Sequence, residues 1–346
     1  MKVGIVTQPL CDNYGGILQN YALQQVLKRM GHEPVTLDYM PSLSFGRYLL
    51  YAGKGILCLL SPSLRHPIKP YSHYLKRPPK IDSFIKDNIS LTKTIPDYTR
   101  KLLRKNGIDA IILGSDQVWR YSYNSHYIED MYLAFAKGYD CPKVAYAASF
   151  GVEKWDYPDV KAAEAKELIK QFNGVSVREK SAVRLCREHL GVDAEIVLDP
   201  TLLLSASDYL QFCSEPLPGG NPYLAAYVLD MNEEKKAFIE ETAKSKGLKI
   251  KRMTASSKGC PVEEWLTTIR NADFVITDSF HGSAFSIIFG KQFYPLLNKE
   301  RGADRFLTLF EKLGIEDGQI DYDAVFPRLD VLRQESIGFI AKHLSE

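Results

Sequence analysis

Short aliphatic runs, each closed by a polar or glycine-bearing turn and followed by a helical stretch, recur along this chain in two series. That alternation leaves few folds open. Strands joined through helices lie parallel, and a parallel sheet needs helices packed on both of its faces. The first series opens with the strand-like run Lys2–Thr7 and a polar loop through Asp12-Asn13-Tyr14-Gly15-Gly16. A helix over Ile17–Met30 follows, with Ile17, Tyr21, Leu23, Val26 and Leu27 apolar; Gly31 ends it and Pro34–Leu37 makes the next strand. Further strands are expected at Ala110–Leu113, Lys143–Ala147, Gly174–Val177 and Glu195–Leu198, with helices over Tyr157–Phe172 and Glu179–His189.

The run Glu215–Pro222, with Pro216, Pro218, Gly219 and Gly220, breaks the pattern as a domain linker does. A second series follows: strand Tyr223–Leu229, helix Asn232–Lys246, strand Lys249–Met253, helix Val262–Asn271, strand Phe274–Thr277, helix Ser283–Phe289, strand Gln292–Pro295. The expected fold is therefore α/β, with two Rossmann-like doubly wound domains in a GT-B-like arrangement. The N-terminal domain is expected over 1–214 and the C-terminal one over 215–325. Residues 326–346, with a helix at Leu329–Leu344, are placed to cross back onto the first half.

Composition narrows the function classes. A chain of 346 residues, 45% hydrophobic and 25% charged, has the length for two cores, and its net charge of +2 is too small for a dedicated nucleic-acid binder. Six scattered cysteines form no CxxC or metal-ligand cluster, so reduced thiols, a cytoplasmic location and no metal or cofactor are expected. The start Met1-Lys2-Val3-Gly4-Ile5-Val6 reads as a strand rather than a signal peptide. One segment, 40–81, fits neither series. It has no acidic residue but holds Arg47, Lys54, Arg65, Lys69, Lys76, Arg77 and Lys80, interleaved with Phe45, Tyr48, Tyr51, Tyr71 and Tyr74. Such an insertion suits peripheral contact with an anionic membrane, and equally suits an ordinary packed insertion with its lysines in water.

The chemistry-bearing residues cluster after strands, where open α/β sheets bind ligands. Thr277-Asp278-Ser279-Phe280-His281-Gly282-Ser283 follows the run Phe274–Ile276, with Asp278, Ser279 and His281 in the turn and a helix starting at Gly282. A helix start offers free amides and a positive dipole end to an anion, which nominates Ser279, Gly282 and Ser283 as donor contacts. His281 beside it can give a proton, take one or contact an anion. Gly15 and Gly16 permit close backbone approach, and Gln19 and Asn20 offer neutral groups to sugar hydroxyls; a plain helix cap by Asn13 or Asp12 fits equally. Ser115, Asp116 and Gln117 end another strand, with Trp119 available to stack on a sugar ring; Asp116 either binds a hydroxyl or caps a helix. Arg178, after Val175–Val177, is a bidentate clamp for phosphate or carboxylate, or a partner of Glu179. Lys299, Arg301 and Arg305 follow the last strand as further anion contacts or as a solvated charged face.

Taken together, GGILQNYAL (Gly15–Leu23), GSDQVW (Gly114–Trp119), YAASFG (Tyr146–Gly151), VSVRE (Val175–Glu179), DPTL (Asp199–Leu202) and TDSFHG (Thr277–Gly282) resemble the polysaccharide pyruvyl transferase family in order and spacing. The resemblance spans nearly the whole chain. It implies a GT-B-type fold and transfer of the enolpyruvyl carbons of phosphoenolpyruvate to two hydroxyls of a sugar, leaving a pyruvate ketal and phosphate. It implies that His281 is the general acid and that Arg178 contacts phosphate or carboxylate. It also implies a glycan or lipid-linked sugar acceptor. Ser279-Phe280-His281 stands where many members have Arg-Leu-His, so Lys299, Arg301 or Arg305 has to supply the missing cation. A glycosyltransferase using a nucleotide sugar, and a non-catalytic sugar-binding protein, are the alternatives from other classes.

Overall fold

The computed structural model describes residues 1–40, 77–215, 221–254, 260–297, 302–316 and 319–345. Most of the expected basic insertion, the linker residues 216–220, and Lys299 and Arg301 lie outside the described residues.

Two parallel sheets carry the chain. The first contains β1 (Lys2–Val6), β2 (Glu33–Thr36), β3 (Ala110–Leu113), β4 (Lys143–Ala148), β5 (Gly174–Val177) and β6 (Glu195–Ile196), in the order β2-β1-β3-β4-β5-β6. The second contains β7 (Tyr223–Tyr227), β8 (Lys249–Met253), β9 (Phe274–Thr277) and β10 (Phe293–Pro295), in the order β10-β9-β7-β8. Every strand pairing within them is parallel. The expected α/β class is therefore correct, and the strands fall within a residue or two of their predicted ends.

Each sheet reverses its winding once. The order changes direction between β1 and β3 in the first sheet and between β7 and β9 in the second. The loops leaving neighbouring strands at such a point run to opposite faces and open a crevice at the strands' C-terminal ends.

Helix α1 (Tyr14–Arg29) leaves β1, and the short α2 (Tyr121–Asn124) follows the loop after β3. Helix α3 (Phe280–Ile288) follows β9, and all nine of its residues are buried. A helix buried on every side needs cover all round, and α3 obtains it by lying between the two halves. Its Phe285 meets Tyr209 edge-on at 4.9 Å and Trp265 at 5.3 Å, while Tyr14 of α1 stacks on Trp265 at 5.5 Å.

Helix α4 (Asp304–Leu313) is also clamped to the first half. Asp304 accepts from the Ser181 amide at 2.6 Å and Thr308 from the Lys180 amide at 3.2 Å. Gly302, at φ +82°, lies so close to the Gly151 carbonyl that a side chain there would collide with it.

The last helix, α5 (Tyr322–Leu344), starts earlier than its apolar spacing suggested, because Asp321 caps the Asp323 amide at 3.0 Å. It packs on the first sheet: Ser336 accepts from the Leu198 amide at 3.0 Å, and Arg333 donates to the carbonyls of Leu202 and Leu204 at 2.7 and 2.8 Å. Among the described residues no helix is long and apolar enough to cross a membrane, and the five cysteines are free.

Candidate active site

The two crevices face each other and enclose one cavity of about 340 Å³. Gln8, Asp12, Asn13, Asp116, Gln117 and Tyr123 form the wall from the first half; Tyr227, Leu229, Ser279, Phe280, His281 and Arg305 form the wall from the second. A larger hollow of about 1180 Å³ lies beside β10, lined by Phe238, Phe293 and Leu296 among others. The buried ionisable groups gather around the smaller cavity, and that decides where chemistry can occur.

Asp199 is the centre of that cluster. Its carboxylate is wholly buried; Oδ1 accepts from the Thr201 amide and hydroxyl at 3.1 and 2.8 Å, and Oδ2 from Ser115 Oγ at 2.9 Å and Arg178 Nη1 at 2.7 Å. His281 Nε2 lies 3.6 Å from the same Oδ2, beyond hydrogen-bond range, and has no other partner among the described residues. Burial pushes the Asp199 carboxyl up, but His281 and Arg178 outweigh it and hold it far below its usual range.

Arg178, expected from sequence to clamp an anionic ligand or to pair with Glu179, is held by two aspartates, and its Nε has no hydrogen-bond partner among the described residues. Its side chain is 1% exposed and divided between Asp199 and Asp116, whose Oδ1 accepts from Nη2 at 2.9 Å. Glu179, the partner considered from sequence, is more distant at 3.9 Å. Burial raises the Glu179 carboxyl despite the nearby Arg178, and its Oε1 accepts from Ser149 Oγ and the Phe150 amide at 2.8 and 3.1 Å. Arg178 is thus a positioning residue that holds two aspartates.

Asp116 sits at φ +80°, a region an aspartate enters only when its surroundings hold it there. Here Arg178 grips one oxygen and Asn13 Nδ2 donates to the other at 3.0 Å. Burial raises the carboxyl, yet Arg178 and His281 bring it below its ordinary value. Asn13 stands at the N-cap position of α1 but commits its side chain to Asp116, so no side chain caps that helix.

Arg305 is 7% exposed, and among the described residues it forms no ion pair; its Nε has no hydrogen-bond partner. Burial, and then the charge of Arg178, pull it down to about 10. The Phe280 ring lies beneath both guanidiniums, 5.7 Å from Arg305 and 4.8 Å from Arg178. An unpaired buried cation is costly unless something anionic meets it.

His281 belongs to the first turn of α3 rather than to the preceding loop. The helix starts at Phe280 because Ser279 caps it, accepting from the Gly282 amide at 3.4 Å. Gly282 serves packing, since a side chain there would strike Thr277 Oγ1. Gly15 serves the site directly: a side chain on it would occupy the place of His281 Nδ1. Asp278 faces away from the cavity, accepting from the amides of Leu229 and Asp230 at 2.6 and 3.1 Å and from Lys235 Nζ at 2.7 Å.

Several predicted contacts do not reach the cavity. Trp119 is fully buried, stacked on Tyr132 at 5.3 Å with Nε1 bonded to the Met131 carbonyl, so it offers no face to a sugar. Gln19 bonds to Thr7 Oγ1 and the Gly16 carbonyl at 3.2 and 3.0 Å, and Asn20 accepts from Thr36 Oγ1 at 2.8 Å; both are fully buried. Ser115 is bound to Asp199, and Ser283 is sealed inside α3. Gly16 packs on Asn13. Of the nominated residues, Asp116, Gln117, Ser279, His281 and Arg305 line the cavity, with Gly15 behind His281.

Asp199, Gln8 and Tyr123 were given no role from the sequence. Asp199 had a readable signal, since it follows a strand just as Asp116 does. Tyr123 had none, because only the folding of α2 turns it to the cavity.

Paired parallel sheets with a cleft at their facing C-terminal edges define a GT-B fold, the class that the structural neighbours share. The chain belongs to the polysaccharide pyruvyl transferase family, whose sequence model matches residues 13–300. No curated protein sequence matches it. Among solved structures it is similar to the S. aureus MnaA–UDP co-structure, with 10% identity and a TM-score of 0.51 over 99% of this chain and 91% of that one. A UDP-GlcNAc 2-epimerase from Neisseria meningitidis bound to UDP-GlcNAc gives the same identity and TM-score over 99% and 100%. A UDP-N-acetylglucosamine 2-epimerase from Listeria monocytogenes, described as putative, matches at 10% and 0.51 over 99% and 91%. At that identity the likeness concerns the fold alone.

Proposed function

We propose that this protein transfers the enolpyruvyl group of phosphoenolpyruvate to two hydroxyls of a sugar in a surface-polysaccharide precursor. The observation that carries the reading is the division of the cavity: Arg305 and His281, both buried with a nitrogen lacking a partner among the described residues, face a wall of amides and carboxylates. A donor bearing phosphate and carboxylate suits the cationic wall, and a polyol suits the other. Arg305 takes the place of the family's motif arginine, which is Ser279 here.

In this mechanism His281 gives a proton to the methylene carbon of phosphoenolpyruvate as the first sugar hydroxyl adds to the neighbouring carbon. The hydroxyl proton returns to the imidazole. Loss of phosphate breaks that carbon's original bond to the phosphate oxygen, the second hydroxyl adds in its place, and its proton leaves with the phosphate. One phosphoenolpyruvate and one diol thus give one cyclic ketal and one phosphate. The Asp199 carboxylate beside Nε2 stabilises positive charge on the ring while it carries the proton.

The acceptor in this reading is a glycan or lipid-linked sugar used on the cytoplasmic face, and the composition of segment 40–81 suits contact with anionic lipid there. The test is acceptor-dependent phosphate release from phosphoenolpyruvate, with the ketal detected by mass, in wild type and His281→Ala. Release that His281→Ala abolishes supports the proposal. No release with any lipid-linked acceptor, together with stabilisation by a nucleotide sugar, replaces it with the glycosyltransferase reading.

A further inference from the structure

We infer that Asp304 and Thr308 are positioning residues: by capping a helix of the first half from the second, they seat Arg305 at the cavity. The inference rests on the donor role proposed above for Arg305 and adds what holds that cation in place. Three features of the contact carry it.

The first is a helix capped from the other half. The helix Lys180–Leu185 receives no side-chain cap from Glu179 at its N-cap position, because Glu179 Oε1 is committed to Ser149 Oγ and the Phe150 amide. A helix start leaves amides without partners, and α4 takes two of them. Asp304 Oδ2 accepts from the Ser181 amide at 2.6 Å and Thr308 Oγ1 from the Lys180 amide at 3.2 Å.

The second is the path of the chain into α4. Gly302, at φ +82°, rests on the Gly151 carbonyl, and a side chain there would come within 2.6 Å of that oxygen. Gly151 belongs to the turn that Glu179 holds, with its own amide bonded to Ser149 Oγ at 3.0 Å. Contacts with the first half therefore lie on both sides of Arg305 in the chain, at Gly302 and at Thr308.

The third is that the guanidinium has little hold of its own. Among the described residues Arg305 forms no ion pair and its Nε has no hydrogen-bond partner, while the rings of Phe280 and Phe306 lie 5.7 and 5.6 Å away. Ring faces attract a cation but supply no hydrogen bond to orient it, so the backbone of α4 decides where the charge reaches. Seating and anion binding are then coupled, and the coupling is reciprocal: caps that tighten an anion on Arg305 are tightened by it in turn.

The test uses the full chain without acceptor, with inorganic phosphate and phosphoenolpyruvate as probes titrated by calorimetry. Asp304→Ala is expected to weaken both about tenfold, the scale of one misplaced hydrogen bond to a charged group. Thr308→Val is expected to weaken them in the same direction, and it carries the test by itself should Asp304→Ala fail to fold. In an Arg305→Met background Asp304→Ala should cost nothing further, since the group it positions is gone. In wild type, phosphate is expected to slow amide hydrogen exchange at Lys180 and Ser181, neither of which lines the cavity, and Arg305→Met to abolish that slowing. Glu311→Gln, which removes only the exposed pair with Lys180, should leave phosphate affinity within about twofold of wild type.

Unchanged affinity in Asp304→Ala or Thr308→Val, whatever their melting temperatures, would make the caps purely structural and overturn the inference. An additive loss in the double variant, an equal loss in Glu311→Gln, exchange that ignores phosphate, or no binding of either anion would each overturn it as well. Phosphate binding that responds to Asp304→Ala, without acceptor-dependent turnover of phosphoenolpyruvate, sinks the proposed reaction and leaves the seating of Arg305 standing. Turnover that Asp304→Ala leaves intact does the reverse.

Discussion

Asp199 Oδ2 lies 3.6 Å from His281 Nε2 while receiving hydrogen bonds from Arg178 Nη1 and Ser115 Oγ. One oxygen therefore joins a residue after β6, an arginine after β5, a serine after β3 and the first turn of α3. It is the point at which the two halves share charge, and four predictions start from it or its surroundings.

Asp199→Asn should cost roughly 1.5–3 kcal/mol of stability, because it removes a charge-assisted hydrogen bond from Arg178 while Asp116 still pairs with that guanidinium. The folded-state carboxyl is depressed from its ordinary 3.8 by His281 and Arg178, which overcome burial. The carboxylate's contribution is thus present above that ordinary value and is lost as pH falls below it toward the folded value. Urea midpoints measured between pH 6 and pH 3, roughly across the ordinary carboxylate range, should drop more steeply for wild type than for Asp199→Asn. Parallel slopes would contradict the assignment.

Gly15→Ala should lower turnover about as much as His281→Ala, roughly 10²- to 10⁴-fold, the usual share of a general acid. A methyl group at Gly15 has to take the space of His281 Nδ1, and the imidazole has to move. Alanine favours helix, so α1 should remain intact by circular dichroism. A fully active Gly15→Ala would show that the imidazole's place does not matter.

Arg305→Met should raise the KM for phosphoenolpyruvate about 10- to 100-fold, the scale of one or two charge-assisted hydrogen bonds. The same change removes a buried guanidinium that has no ion-pair partner among the described residues. Thermal unfolding of the unliganded protein should therefore move to higher temperature, or at least not lower. A loss of stability with an unchanged KM would make Arg305 structural.

Trp119→Ala should destabilise the first half by about 3–5 kcal/mol, as expected for emptying a core aromatic site. Trp119→Phe should be milder and leave the acceptor KM unchanged, because the indole contacts Tyr132 and the Met131 carbonyl rather than the cavity. Steady-state kinetics with varied acceptor, alongside a denaturation curve, separate the two effects.

The reading of single residues from sequence divides along physical lines. His281, Asp116, Gln117, Ser279 and Arg305 were legible because each follows a strand, and the parallel topology carries loops at strand C-termini to one edge. Arg178 also follows a strand, yet ends up inside the protein. Its neighbours Asp116 and Asp199 lie 62 and 21 residues away, and nothing in a local window announces that these three charged groups will pair. Trp119 failed for a related reason: the aromatic cluster that buries it comes from segments distant in sequence, including Tyr132 and Phe150.

The chain's order of apolar runs, turns and helical stretches was enough to determine two parallel sheets, their α/β class and the edge at which the cavity opens, because strand and helix periods are local. The motifs sufficed for the family. Only the tertiary structure decided which polar groups face the cavity, which are spent on one another, and that Tyr123 rather than Trp119 shows its ring. Those outcomes depend on burial and charge pairing between segments that approach only when the halves close, and such energies have no local trace in the sequence.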